Sequence, residues 1–245
     1  MTAPGSMSES SIDEIVAAFL SHRELVERFM KQLATALGDS SLLAPHIHSI
    51  KARVKDPVHL RGKLLRKLAA HERDGTQFEI SPENVLSKVT DLAGIRILHL
   101  HTTQVRDIDR VLQAFFEEQQ YHLREGPFAR TWDDESRRFF RDCGITTQDS
   151  PTLYTSVHYI VESASKTTIA CEVQVRTLME EVWGEVDHLI NYPAPAQSIA
   201  CREQLKVLAR VTSSASSLVD AIFLTWQEEV AGRQERSDAA RGSGA

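Results

Sequence analysis

In the N-terminal part of the chain, apolar residues recur at helical spacing: Ile12, Ile15, Val16, Phe19, Val26, Phe29, Leu33 and Leu37, with Gly38 ending the run. Ser11 and Glu14 stand three residues apart, the spacing of a capping box, so the pattern predicts a single long amphipathic helix that serves as scaffold or oligomer contact. A short strand follows over 47–54, ending in the basic cluster Lys51, Arg53 and Lys55. Asp56-Pro57 then opens a helix bearing Arg61, Lys63, Arg66 and Lys67, with proline where its missing N–H costs least. The stretch 91–101 reads as a buried strand around Ile95, Ile97 and Leu98, 105–119 as a helix, and 121–124 as a short strand. The polar segment 125–151, with Trp132 and the run Arg137-Arg138-Phe139-Phe140-Arg141, breaks the rhythm and reads as a long functional or mobile loop.

The pattern is sharpest in two later strands. Over 154–161 one parity holds Tyr154, Ser156 and His158, and the other Thr155, Val157, Tyr159 and Val161. Over 168–176 one parity holds Glu172, Gln174 and Arg176, and the other Ile169, Cys171, Val173 and Val175. Side chains alternate across a strand, so each has one apolar and one reactive face, and the short gap between them predicts an antiparallel hairpin. Thr177 to Glu180 caps a further helix with Trp183, Asp187 and His188, and 202–231 is helical again. The fold class is α+β (α/β): a mixed, roughly five-stranded sheet with helices packed on it and long N- and C-terminal helical extensions. The domain plan is a disordered leader 1–10, a helical extension 11–46, a central domain 47–192, a second extension 193–233 and a disordered tail 234–245.

Composition narrows the function classes. The 245 residues are 42% hydrophobic with a net charge of -6, enough for one core and without a global cationic field toward nucleic acid or membrane. Cys143, Cys171 and Cys201 show neither a paired number nor metal-ligand spacing, which suggests reduced thiols and a cytoplasmic location. No apolar run approaches the ~18–20 residues that span a bilayer, so no membrane partner is expected.

Asp91 at the mouth of an apolar strand and Glu172 inside one are unusual places for acids, and together they suit a Mg²⁺ site; a turn cap and a Glu172–Arg176 pair are the plain alternatives. Arg53, Lys55 and Lys63 could grip phosphates, and Arg53 or Arg96 could stack on a base, or the group could be a solvated basic face. Tyr154 beside Ser156 and His158 could form a base platform or simply pack the sheet.

Taken in order, Asp91-Leu-Ala-Gly-Ile-Arg96, Tyr154-Thr-Ser-Val-His158-Tyr159, Glu172-Val-Gln-Val-Arg-Thr177 and Trp183-Gly-Glu-Val-Asp-His188 resemble the RelA/SpoT alarmone synthetase domain over about 47–192, with flanking helices like those of its small single-domain members. The resemblance implies transfer of the β,γ-pyrophosphate of ATP to the 3′-hydroxyl of GDP or GTP, giving the stringent-response alarmone (p)ppGpp. It implies Asp91 and Glu172 as Mg²⁺ carboxylates, with Glu172 also the base. Arg53 and Arg96 resemble the adenine sandwich, Lys55 and Lys63 the triphosphate lysines, with His59 where the family usually has serine. Tyr154 resembles the guanine-stacking tyrosine, with Ser156 and His158 on the acceptor side, and Gln174, Arg176, Asp187 and His188 ordering the site. Leu153 stands where the family usually has glycine, and a basic residue usual upstream of it is missing. Those departures leave other readings: a toxic relative acting on the 3′ end of tRNA or on an adenine nucleotide, or a nucleotide-sensing or partner-binding module without catalysis. A homo-oligomer through the end helices is a further expectation.

Overall fold

A computed structural model describes residues 9–191 and 197–242 of the chain. Two N-terminal helices, α1 (Glu9–Ser21) and α2 (Arg23–Gly38), precede β1 (Ser49–Val54) and α3 (Pro57–Asp74). Then come the single turn α4 (Val85–Lys88), β2 (Ala93–His99), α5 (Val105–Glu118), β3 (His122–Thr131), α6 (Asp134–Asp142), β4 (Thr146–Asp149), β5 (Ser156–Glu162), β6 (Ala170–Thr177), α7 (Leu178–Asn191) and α8 (Ile199–Gly242). The six strands form one mixed sheet in the order β1-β2-β6-β5-β3-β4, one strand more than the periodicity suggested. β2 and β6 run parallel within the sheet, and β5 and β6 form the expected antiparallel hairpin.

Three sequence expectations need correcting. The N-terminal pattern is two helices, because at the junction Ser21 Oγ donates to the Ala18 carbonyl (2.8 Å) and the His22 ring also bonds it (2.9 Å). Such local side-chain bonds offer the backbone an alternative to the helical ladder. The segment 125–151 is largely ordered: β3 continues to Thr131, and α6 and β4 follow. Irregularities in the β3–β5 register hid the alternation there. Gly126 sits at φ 102°, and a Cβ on it would come 2.4 Å from the His158 carbonyl, so only glycine passes this point. Asp133 caps α6 by accepting from the Ser136 N–H at 2.9 Å. At the C-terminus α8 continues to Gly242, through the stretch read as a disordered tail, with no proline or glycine cluster to stop it sooner. Residues 1–8 of the leader lie outside the described residues.

The same helix amends the reading of apolar runs. Within 199–234, α8 is long enough, and one 18-residue window of it apolar enough at mean hydropathy 1.4, to cross a membrane by length and composition. That average spans Arg210, Asp220 and several serines rather than an unbroken run, and the Asp220 carboxylate accepts from the Thr103 N–H at 3.3 Å. The three cysteines are free thiols.

One core joins the N-terminal helices to the sheet: Ile12, Phe19, Val26 and Leu33 cluster with Leu60 and Leu64 of α3 and with Ile95, Val173 and Tyr159 of the strands. Tyr159 donates its buried hydroxyl to Asp109 at 2.7 Å, satisfying the polar groups on this side. The opposite parity of β1, β2, β6 and β5 faces away from that core and carries the charged residues.

Candidate active site

Asp56 starts α3 by accepting from the N–H groups of Val58 and His59 at 2.9 and 3.1 Å, with Pro57 at the first helical position. This fixes the helix so that Lys63 reaches one oxygen of Asp91 while Lys55, just beyond β1, reaches the other, both at 2.7 Å. Burial works against the charged form of Asp91, but Lys63 and Lys55 overcome it and bring its pKa down to about 2. Asp91 is thus neither a turn cap nor an isolated acid. It is an anion held between two cations.

Glu172 is held differently. His158 Nδ1 lies 2.9 Å from one of its oxygens, and Gln174 donates to the other at 2.8 Å. Burial pushes its pKa up, and the His158 and Gln174 contacts together outweigh that, so the net shift is downward. The Glu172–Arg176 pair considered from sequence is not formed. Tyr154 donates to the Gln174 side-chain oxygen at 3.1 Å, and Arg176 donates to the Tyr154 hydroxyl at 3.4 Å. A chain of contacts thereby runs Arg176, Tyr154, Gln174, Glu172, His158.

Two neighbouring clefts open on this face. The larger, about 550 Å³, is lined by Asp91, Glu172, Arg53, Arg96, Lys51 and Glu185 among others. The smaller, about 220 Å³, is lined by Tyr154, Arg176, Trp183, Asp187, His188 and Asn191 among others. Arg96 and Gln174 line both. Burial and the nearby Arg96 lower the pKa of Arg53.

Not every expected residue reaches a cleft. Ser156 is buried, donating to the Val175 carbonyl at 3.3 Å, and the His59 ring packs edge-on against His188 at 5.5 Å. Tyr154 precedes β5 rather than lying in it, and the backbone before it is unusual: Leu153 has φ 57°, a left-handed conformation costly for a residue with a Cβ. Beneath this turn lies Glu180, buried and held by a backbone N–H of Thr155, with burial raising its pKa to about 7.

The sequence reading missed Glu181 and Glu185 on α7. Glu181 contacts Lys51 (2.9 Å), Arg96 (3.2 Å) and Arg176, and Glu185 pairs with Arg96. The available signal was the spacing Glu181, Glu185, His188, a single helical stripe directly after the reactive strand. Gly184 lies on the same helix, and a Cβ there would come 2.7 Å from Arg176 Nη1, so a larger residue at this position would push that guanidinium aside.

Residues 52–197 match the family described as the region found in RelA / SpoT proteins. The chain belongs to that family. Among solved structures, small alarmone synthetase 1 from Bacillus subtilis is similar, with TM-score 0.56 and 20% identity over 86% of this chain and 96% of that one. A GTP pyrophosphokinase family protein from Streptococcus pneumoniae gives 0.57 and 18% over 86% and 93%. The Bacillus subtilis protein has also been crystallised with AMPCPP (0.54, 18%, over 86% and 97%) and with its product pppGpp (0.53, 19%, over 85% and 96%). At these identities the likeness to solved structures establishes the RelA/SpoT synthetase fold. Among curated proteins, none matches the chain significantly in sequence.

Proposed function

We propose that this RelA/SpoT protein transfers the β,γ-pyrophosphate of ATP to the 3′-hydroxyl of a guanine nucleotide, releasing AMP and forming (p)ppGpp. The observation that carries the reading is that Asp91 and Glu172 line one cleft together with Arg53 and Arg96. Its volume lies in the range of nucleotide-sized pockets. Two carboxylates in a cleft suit a hard divalent cation that keeps several waters and takes further ligands from phosphate oxygens. Bound there, Mg²⁺ would offset the charge on the transferred group.

The protein's own groups account for the rest. Arg53 and Arg96 offer guanidinium planes for adenine, and Lys55 and Lys63, which pair with Asp91 although neither is among the residues lining the cleft, would turn from it to grip a triphosphate. Tyr154, at the mouth of the smaller cleft, offers a face for the acceptor base. The acceptor's 3′-oxygen bonds to Pβ while the bond from Pβ to the oxygen bridging to Pα breaks; the hydroxyl proton passes to Glu172, and AMP departs. Glu172 is ionised at neutral pH by virtue of its His158 and Gln174 contacts, which suits a proton acceptor that must be ready before the hydroxyl arrives.

A second reading, transfer to the 3′ end of tRNA, draws on the exposed Arg130, Arg138 and Arg141 of β3 and α6. Purified protein with Mg²⁺ and ATP labelled in the β,γ-pyrophosphate should be offered GDP, GTP, AMP, ADP and deacylated tRNA. Label on a guanine nucleotide with matching AMP release supports the proposal. Label confined to tRNA or to an adenine nucleotide moves the acceptor, and no transfer to any of them leaves a sensing or partner-binding module.

A further inference from the structure

Glu181 is 5% exposed and faces three cations from three adjacent strands. Its Oε1 accepts from Lys51 Nζ of β1 at 2.9 Å and from Arg96 Nη1 of β2 at 3.2 Å, while its Oε2 pairs with Arg176 of β6. Arg96 lines the larger cleft, and Arg176 supports Tyr154 in the smaller one, with its guanidinium carbon 5.5 Å from the Tyr154 ring centre and its Nη1 donating to the hydroxyl. A guanidinium stacks through its face and hydrogen-bonds through its edge, so a carboxylate on the edge fixes the plane without covering the face.

We infer that Glu181 is a positioning residue that sets both base-binding platforms at once, orienting Arg96 toward the donor nucleotide and Arg176, and through it Tyr154, toward the acceptor. The inference rests on the nucleotide reading above. One carboxylate shared between the platforms makes the two sites thermodynamically reciprocal: whatever loosens one end of the bridge is felt at the other. Glu185 contacts Arg96 alone among these cations and supplies the contrast.

The test measures AMPCPP binding by calorimetry and KM for both substrates in Glu181→Gln, Glu185→Gln and Arg176→Met. Losing one charge-assisted bond to a buried partner commonly costs about tenfold in affinity. Glu181→Gln should therefore weaken AMPCPP about tenfold and raise acceptor KM by a similar factor, with kcat at saturation changed only a few-fold. Glu185→Gln should affect AMPCPP alone. The telling variant is Arg176→Met, which does not line the larger cleft yet should still weaken AMPCPP a few-fold, because Glu181 loses one of its anchors. Unchanged AMPCPP affinity in Arg176→Met, or a Glu181→Gln protein that melts lower but binds both nucleotides normally, overturns the inference and leaves the proposed function standing. Wild-type protein that binds no AMPCPP would remove the proposed function, and this inference with it.

Discussion

The proposed donor and acceptor sides of the site are built on opposite principles. On the donor side charge meets charge: Asp91 sits between Lys55 and Lys63, and Arg96 between Glu181 and Glu185. On the acceptor side the platform is packed and strained: Tyr154 follows a left-handed Leu153, rests on a buried arginine, and has an acid beneath it that favours its proton near neutrality. The difference matters for how each side meets a ligand. Ion pairs can be exchanged for a polyanion and a cation with little net loss of contacts, whereas a strained turn is set in advance and gains nothing by moving. The two sides should also weaken at opposite ends of the pH scale.

Chemistry gives the largest expected effect. Glu172→Gln removes the proposed proton acceptor and should lower kcat by about 10³-fold, within the range of general-base contributions. AMPCPP affinity measured without Mg²⁺ should stay within several-fold of wild type; a loss of that binding as large as the loss of rate would show that Glu172 acts through donor binding rather than as the base. Next is the alkaline weakness of the acceptor side. Glu180 ionises at about 7 in the folded protein against an ordinary 4.5, so folding is penalised as pH rises through that window, by at most about 3 kcal/mol. Urea titrations at pH 5 and 8 should show wild type losing stability relative to Glu180→Gln across the interval, and parallel curves would refute the buried neutral acid.

On the donor side the sign reverses. Asp91 has a folded pKa of about 2 against 3.8, so its contribution is fully present above about pH 4 and lost as pH falls toward 2, an effect of about 2 kcal/mol. Asp91→Asn should flatten that acid limb in denaturant midpoints taken between pH 5 and 2.5. The smallest effect concerns the turn. Leu153→Gly removes a left-handed penalty but adds freedom to the unfolded chain, for a net gain of about 0.5 kcal/mol. A loss above about 1 kcal/mol would show that the Leu153 side chain, rather than the strand and helix around it, holds the loop.

Much of this was legible where side chains alternate cleanly. The parity of 154–161 and 168–176 separated the core-facing side of the hairpin from the side that carries His158, Glu172 and Gln174, and Asp56-Pro57 marked the start of α3, because those signals are local. The β3–α6–β4 region was illegible for the reverse reason: bulges break the period of two, and Gly126 serves a contact with β5 that sequence spacing cannot show. Glu181 escaped notice because its three partners lie 130, 85 and 5 positions away, and only the sheet order brings them together. Ser156 illustrates a different limit. Parity placed it beside Tyr154 and His158, but the strand begins there, and its hydroxyl turns to the Val175 carbonyl.

The recognised family region begins at residue 52, yet the folding unit does not. Leu60 and Leu64 of α3 share their core with Ile12, Ile15 and Phe19, and Arg61 is tied to Asp13 at 2.7 Å and to Glu9 at 3.1 Å. The helix that aims Lys63 therefore has its back braced by the first helix of the chain. Homology and mechanics draw the boundary in different places, and a chain cut at the homologous edge would lose both Lys51 from the larger cleft and the buttress behind the helix that carries Lys63.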